Sequence, residues 1–275
     1  MDMVADIPYR DLYIYYLEGR LNPGQGISGA NFIGNWEEDN FSFLFFKTPS
    51  REKIEEILSV QPGLTLIDNY QMTYDEWQGE MPFPLNIGRF MITTPWKPSD
   101  NIDNGIKIIL DPGVVFGTGA HPTTHDCIEA LELAFSDEKI ESAVDLGTGT
   151  GVLAIAAAYL GAKKILAADI NYLAVNTAKR NFFLNGMQDR ILPVRGLAQD
   201  YIELPADLLI ANIHHDIMKI IIRSEGFLNK KIFVLSGLLK SEANEIDFQL
   251  SELPVKIIQK WDCNGIWHTF FGKTL

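Results

Sequence analysis

The segment Asp145-Leu146-Gly147-Thr148-Gly149-Thr150-Gly151 stands between two apolar runs and holds three glycines at alternate positions. A turn that brings backbone close against a ligand excludes Cβ atoms, so glycines there point to space reserved for that ligand. A dinucleotide-binding turn would carry glycine at its first, third and sixth positions. Here the sixth position is Val152, and the glycines fall at the first, third and fifth. An acid two residues before the first glycine, and Asp169 22 residues after it, complete the form of turn that holds S-adenosylmethionine. Gly147 and Gly149 are expected against this cofactor, with Asp169 accepting from its ribose hydroxyls. A nicotinamide oxidoreductase is the competing reading of the loop, and a plain tight turn with Asp169 as a helix cap is the purely structural one.

A second loop precedes the first: Asp111-Pro112-Gly113-Val114-Val115-Phe116-Gly117-Thr118-Gly119-Ala120-His121-Pro122-Thr123-Thr124. Its glycines and prolines imply a rigid path. The two threonines stand at a helix start, where their hydroxyls either cap free N–H groups or meet an anionic ligand such as a methionine carboxylate. Farther on, Asn212 lies near the end of an apolar run over 207–213. Strand ends beside the switch point of an α/β sheet are where ligands bind. An amide there orients an amine without neutralising a sulfonium, whereas the plain alternative is a buried Asn satisfying a loop. A lysine ε-amine must lose a proton before it can attack, and a desolvated pocket beside a positive charge favours the neutral form.

The histidines raise a metal alternative. His121 and His125 are four apart, a helical ligand spacing, and His214 and His215 are adjacent. Pro122 separates His121 from the helix, no cysteine lies near either pair, and Asp126 and Asp216 are the only close carboxylates, so no metal site is expected. His121 reads as a loop organiser that donates to a backbone carbonyl. His214 and His215 open a helix and either line a substrate channel or are simply solvated.

The elements that position these residues alternate. Strands are expected over 106–110, 143–146, 165–169, 191–194, 207–213 and 232–235. Helices run from Thr123 or Thr124 to about Phe135, then through Leu160, through Leu184, over 216–227 and over 241–250. Such alternation implies a parallel sheet covered on both faces. The end differs, because apolar runs at 255–261 and 266–271 flank Asp262-Cys263-Asn264-Gly265, a hairpin signal. A doubly wound, mostly parallel sheet with a C-terminal antiparallel hairpin is the Rossmann-like class I methyltransferase layout. Ahead of it, strands at 11–17, 41–46 and 64–67, and a helix capped by Ser50 and running to about Val60, form a small α+β domain. The expected organisation is a front domain over 1–73, an acidic connector over 74–81 and a methyltransferase domain over 82–275.

The chain has 275 residues and a net charge of −13, of which −9 falls on residues 1–81, with 5 Lys/Arg against 14 Asp/Glu. An acidic surface repels phosphate backbones, which disfavours a direct nucleic-acid substrate and suits a basic protein partner. No apolar run reaches the length of a membrane span, and the acidic N-terminus does not read as a secretory signal. Two cysteines far apart form no disulfide framework and fit a reducing cytoplasm. A monomer is expected.

Together the motifs resemble the PrmA family, the methyltransferases of large-subunit ribosomal protein eleven. The resemblance rests on Phe116 to Gly119, His121, Thr123 and Thr124, then Gly147, Asp169, Asn212-Ile213 and Ser236-Gly237. The Tyr74 to Trp77 and Phe90 to Trp96 stretches join it, so that it covers roughly 74–271. It implies S-adenosylmethionine contacts at Thr124, Gly147, Asp169 and Asn212. It also implies methyl transfer to amino groups of a large-subunit ribosomal protein, with Asn212 at the reacting amine. Another protein or small amine, or a non-catalytic cofactor-binding module, are the alternatives. The chain departs from the family in His214-His215 after Asn-Ile, and in a loop over 19–31 where the first helix of a ferredoxin-like front domain is expected.

Overall fold

The computed structural model describes residues 7–22, 27, 29–79, 83–97 and 105–275. Two compact units are found, Pro82–Ile170 with Ala174–Leu275, and Ala5–Met81 with Asn171–Leu173.

In the front unit, β1 (Asp11–Glu18), β2 (Phe32–Glu38), β3 (Phe41–Phe46) and β4 (Thr65–Thr73) form an antiparallel sheet in the order β2-β3-β1-β4. Alternation sends Tyr15 and Leu17 of β1 to one face, where they meet Leu44, Phe46 and the buried Ile54 and Ile57 of helix α1 (Arg51–Val60). Ser50 occupies the N-cap position of α1, but its hydroxyl does not cap. It donates to the Thr48 carbonyl at 3.0 Å and accepts from Asn31 Nδ2 at 2.7 Å. Strand β2 was not foreseen, because Gly34, Asn35 and two glutamates give it little intrinsic strand preference and pairing with β3 creates it. Strand β4 extends well past the expected 64–67. Its polar Asp68 to Gln71 run on an exposed strand paired to β1 alone. The stretch read as a connector holds a short helix, α2 (Tyr74–Gln78). Thr73 Oγ1 accepts from Glu76 N at 3.1 Å, and Glu76 Oε2 accepts from Thr73 N at 2.7 Å, a complete capping box.

The second unit is built on seven strands: β8 (Ser142–Leu146), β9 (Lys164–Asp169), β10 (Ile191–Arg195), β11 (Leu208–Asn212), β12 (Ile232–Leu239), β13 (Val255–Cys263) and β14 (Trp267–Thr274). Their order is β10-β9-β8-β11-β12-β14-β13. The first five run parallel, and β14 pairs antiparallel with both β12 and β13. The chain enters at β8, steps outward to β10, then crosses to β11, so the switch point lies between β8 and β11. The β13–β14 hairpin turns through Asn264, Gly265 and Ile266, with Cys263 paired to Trp267, and Asn264 and Gly265 take positive φ.

Helices α3 (Pro122–Asp137) and α4 (Val152–Leu160) bury Cys127, Ile128, Leu131 and the Ala154 to Ala158 run on one face of the sheet. Helices α7 (His215–Ile222) and α9 (Lys240–Ser251) bury Met218, Ile221, Ile246 and Leu250 on the other. The single helix expected over 216–227 breaks at Arg223-Ser224 into α7 and α8 (Glu225–Leu228). A smaller three-stranded sheet, β5 (Leu85–Ile87), β6 (Phe90–Thr93) and β7 (Ile106–Ile109), precedes α3 in the chain. Among the described residues no helix is long and apolar enough to cross a membrane.

Candidate active site

Strand β8 delivers Asp145 and the glycine loop at the switch point. Asp145 is buried and accepts from Thr148 Oγ1 at 2.6 Å. Burial pushes its carboxyl up to about 7, and the nearby Asp169 charge adds to the rise, against the opposing hydrogen bonds from Thr148 and the Ala154 amide. Gly147 N and Thr148 N both donate to the Ala168 carbonyl at 2.9 Å, and Gly149 N donates to Asp169 Oδ2 at 3.0 Å. The strand-end acid therefore clamps the loop through one of its oxygens.

Gly147, Gly149 and Gly151 all have positive φ, at 79°, 55° and 84°. A Cβ on Gly147 would overlap Ile213 Cγ2, and one on Gly149 would stand 2.5 Å from the Phe116 carbonyl oxygen. The glycines expected to make room for a ligand are thus already demanded by the protein's own packing.

The Phe116 to Gly119 loop lies directly on this turn. Thr150 N donates to the Phe116 carbonyl at 3.1 Å, and Thr150 Oγ1 donates to the Gly117 carbonyl. The loop's approach is fixed from the C-terminal end of helix α5 (Tyr172–Leu184), by Asn181 in its last turn and Asn185 just past its end. Asn181 accepts from Asp111 N at 2.8 Å and donates to the carbonyls of Asp111 and Thr150 at 3.0 and 2.9 Å. Asn185 pairs with both backbone groups of Ile109, at 2.9 and 2.7 Å. Asp111 is buried, which raises its pKa, while Arg180 at 2.9 Å opposes the rise. These supporting residues escaped the sequence reading. Two asparagines four apart at the end of a helix, where Asn is a poor former, are the signal that could have found them.

The threonines of α3 do not cap it. His121 is the N-cap, and its Nδ1 accepts from Thr123 N at 3.4 Å and faces Thr123 Oγ1 at 2.8 Å. Its Nδ1 is thus an acceptor at the cap, which leaves the ring proton on Nε2. Burial lowers its pKa. Phe116 and Trp267 meet the His121 ring edge to face, with centroids 5.1 and 4.9 Å away. Asn212 ends β11 and donates from Nδ2 to Thr123 Oγ1 at 3.2 Å. Thr124 is 1% exposed, and its hydroxyl has no hydrogen-bond partner among the described residues.

Thr123, the glycine loop, Asp169 and Asn212 are therefore joined in one network at the switch point, through Thr150 and the Phe116 loop on one side and Thr123 on the other. The other histidines are dispersed. His125 faces Glu129 at 3.5 Å on the half-exposed side of α3. His214 is the exposed N-cap of α7. His215 turns inward, with Nε2 3.1 Å from a Glu245 carboxylate oxygen but off the line of a hydrogen bond. No cluster of His, Cys, Asp or Glu fit for a metal occurs among the described residues.

The sequence profile of the ribosomal protein L11 methyltransferase (PrmA) family matches residues 65–274. The chain belongs to this family. A ribosomal protein L11 methyltransferase of Carboxydothermus hydrogenoformans is 37% identical over 186 residues, 66% of this chain and 60% of that protein. One from Staphylococcus epidermidis is 34% identical over 230 residues, 79% of this chain and 72% of that protein. The chain thus spans about three fifths of the length of the first of these relatives. A crystal structure of a ribosomal protein L11 methylase from Lactobacillus delbrueckii subsp. bulgaricus aligns with a TM-score of 0.59 at 28% identity, covering 68% of this chain and 96% of that one. The class I methyltransferase fold expected from the alternation and the hairpin is the fold found. The match begins at β4 and leaves β1 to β3 and α1 outside it.

Proposed function

We propose that this chain is an S-adenosylmethionine-dependent N-methyltransferase acting on lysine ε-amines or the N-terminal amine of a large-subunit ribosomal protein; its relatives are named ribosomal protein L11 methyltransferases. The observation that carries the reading is the unpartnered hydroxyl of buried Thr124 on the first turn of α3, beside the glycine-loop network. A buried hydroxyl without a partner costs stability, and a helix N-terminus favours an anion, so the pair suits the carboxylate end of an amino-acid cofactor. The donor set fits S-adenosylmethionine: Thr124 for the carboxylate, Gly147 and Gly149 for the close backbone approach, and Asp169 for the ribose. When bound, this cofactor supplies a methyl group on an electrophilic sulfonium. Asn212 Oδ1 accepts an N–H of the neutral amine and holds its lone pair in line, so that positioning provides much of the rate. The acidic composition supports a basic protein as partner and disfavours a phosphate backbone. Cys127 and Cys263 are free thiols, which supports work in a reducing cytoplasm.

The test is incubation of the full chain with labelled S-adenosylmethionine and purified ribosomal protein L11, with mass spectrometry of the product. Label on amino groups of that protein is expected. Cofactor binding by calorimetry without transfer to any protein of a cell extract would make the chain a binding module. Label on a different protein would reassign the substrate.

A further inference from the structure

We infer that His121 and Thr123 are positioning residues that set which end of the Asn212 amide faces the reacting amine. This rests on the placement of the amine at Asn212 proposed above. The direction of the relay follows from donor counting. His121 Nδ1 accepts the Thr123 backbone N–H at 3.4 Å, so that nitrogen carries no proton. The Thr123 hydroxyl, 2.8 Å from the same nitrogen, must then donate to it. Its oxygen is left as an acceptor, and the end of the Asn212 amide that meets it at 3.2 Å is the NH2 group. Asn212 Oδ1 is thereby turned away from Thr123 and accepts no hydrogen bond among the described residues.

The space on that side is kept by Gly237, at φ 86°, where an added Cβ would lie 3.0 Å from Asn212 Oδ1 and 2.9 Å from the Ile213 carbonyl oxygen. A neutral amine needs an acceptor for its N–H, and a flipped amide would offer it a donor instead. Without His121 the Thr123 proton is free to point at Asn212, where it favours the flipped amide. The Phe116 and Trp267 rings on the His121 ring prevent the imidazole from turning away.

The experiment compares kcat and cofactor Kd for the parent, Thr123→Val, Thr123→Ser, His121→Phe and His121→Asn. Phe keeps the ring contacts and loses the acceptor. Asn loses the ring but places Oδ1 near where Nδ1 stood, and it is a favoured N-cap. Turnover should fall by about tenfold to a hundredfold in Thr123→Val and His121→Phe, with cofactor Kd shifted by less than about threefold. Thr123→Ser and His121→Asn should restore it to within about fivefold of the parent. Side-chain amide resonances of 15N-labelled Asn212 provide a readout independent of turnover. One Nδ2 proton should be protected from exchange in the parent, Ser and Asn variants and exposed in Val and Phe. Parent-like turnover in His121→Phe together with loss in His121→Asn would show that His121 only packs, and would overturn the relay. If the parent itself transfers no methyl group, the proposed reaction has failed, and the amide pattern alone decides whether the relay exists.

Discussion

Three side chains at the switch point carry opposite expectations for stability and binding. Thr124 holds a buried hydroxyl that finds no partner among the described residues, so Thr124→Val should leave the melting temperature unchanged or raise it. The same change should weaken S-adenosylmethionine by about tenfold to a hundredfold, the worth of roughly one hydrogen bond to a charged group. Thermal unfolding and calorimetry on one preparation check both halves, and an unaltered Kd would remove Thr124 from the carboxylate site. Asn212→Ala should show a different split, with turnover down about a hundredfold and cofactor affinity only modestly lower. Equal loss in both would make Asn212 a cofactor contact alone. Asp145 predicts a pH dependence. Its carboxyl ionises near the ordinary value of about 4 in the unfolded chain but at about 7 when buried. Its stabilising difference is therefore intact below about pH 4 and is lost as pH rises through 7, because unfolding then releases a proton the native state retains. Asp145→Asn should remove that loss, so the melting temperature of the variant relative to the parent should climb from pH 4 to pH 7.5 in scanning calorimetry. A pH-independent difference would mean that the native carboxyl ionises normally.

Among the elements, the loop between β8 and α4 shows how local geometry and packing share one requirement. Its glycines were legible in the sequence as positions that exclude Cβ. The partner that excludes it at Gly147 is Ile213, the residue after Asn212, rather than only a ligand. Gly147→Ala should accordingly destabilise the fold by about 1–3 kcal/mol, from strain at positive φ and overlap with Ile213. Adding Ile213→Ala should cost less than the sum of the two single changes, with a coupling of at least about 0.5 kcal/mol in a double-mutant cycle. Strict additivity would show that Ile213 yields freely. Element ends were less legible than element existence. Helix α3 was expected to start at Thr123 or Thr124, yet the cap is His121, because a ring nitrogen replaces the usual hydroxyl acceptor. The capping box at Thr73 and Glu76 is written in the chain as Thr-x-x-Glu, inside an acidic stretch whose composition otherwise resembles a loop.

At the scale of the whole molecule, the charge is concentrated in residues 1–81, at −9 of −13. The proposed basic protein substrate should be captured partly by this field, so under that proposal KM for ribosomal protein L11 should rise several-fold between low and physiological salt, while cofactor Kd stays constant. A salt-independent KM would assign capture to uncharged contacts. The family match begins at residue 65, so strands β1 to β3, which hold part of this charge, lie outside it.

The sequence by itself determined the class I fold, the glycine loop and the strand end that holds Asn212. Those features are local. A parallel strand buried on both faces is a short apolar run, a helix repeats every 3.6 residues, and a backbone with positive φ selects glycine. Only the tertiary structure decided what surrounds them. Asn181 reaches Asp111 across 70 residues and Asn212 reaches Thr123 across 89, and no spacing rule links such positions. It also separated the two adjacent histidines, sending His214 to solvent and His215 toward Glu245. The pairing that makes β2 a strand, the clamp of Asp169 on the glycine loop and the direction of the Asn212 amide depend on which neighbours arrive in space, and folding alone supplies those neighbours.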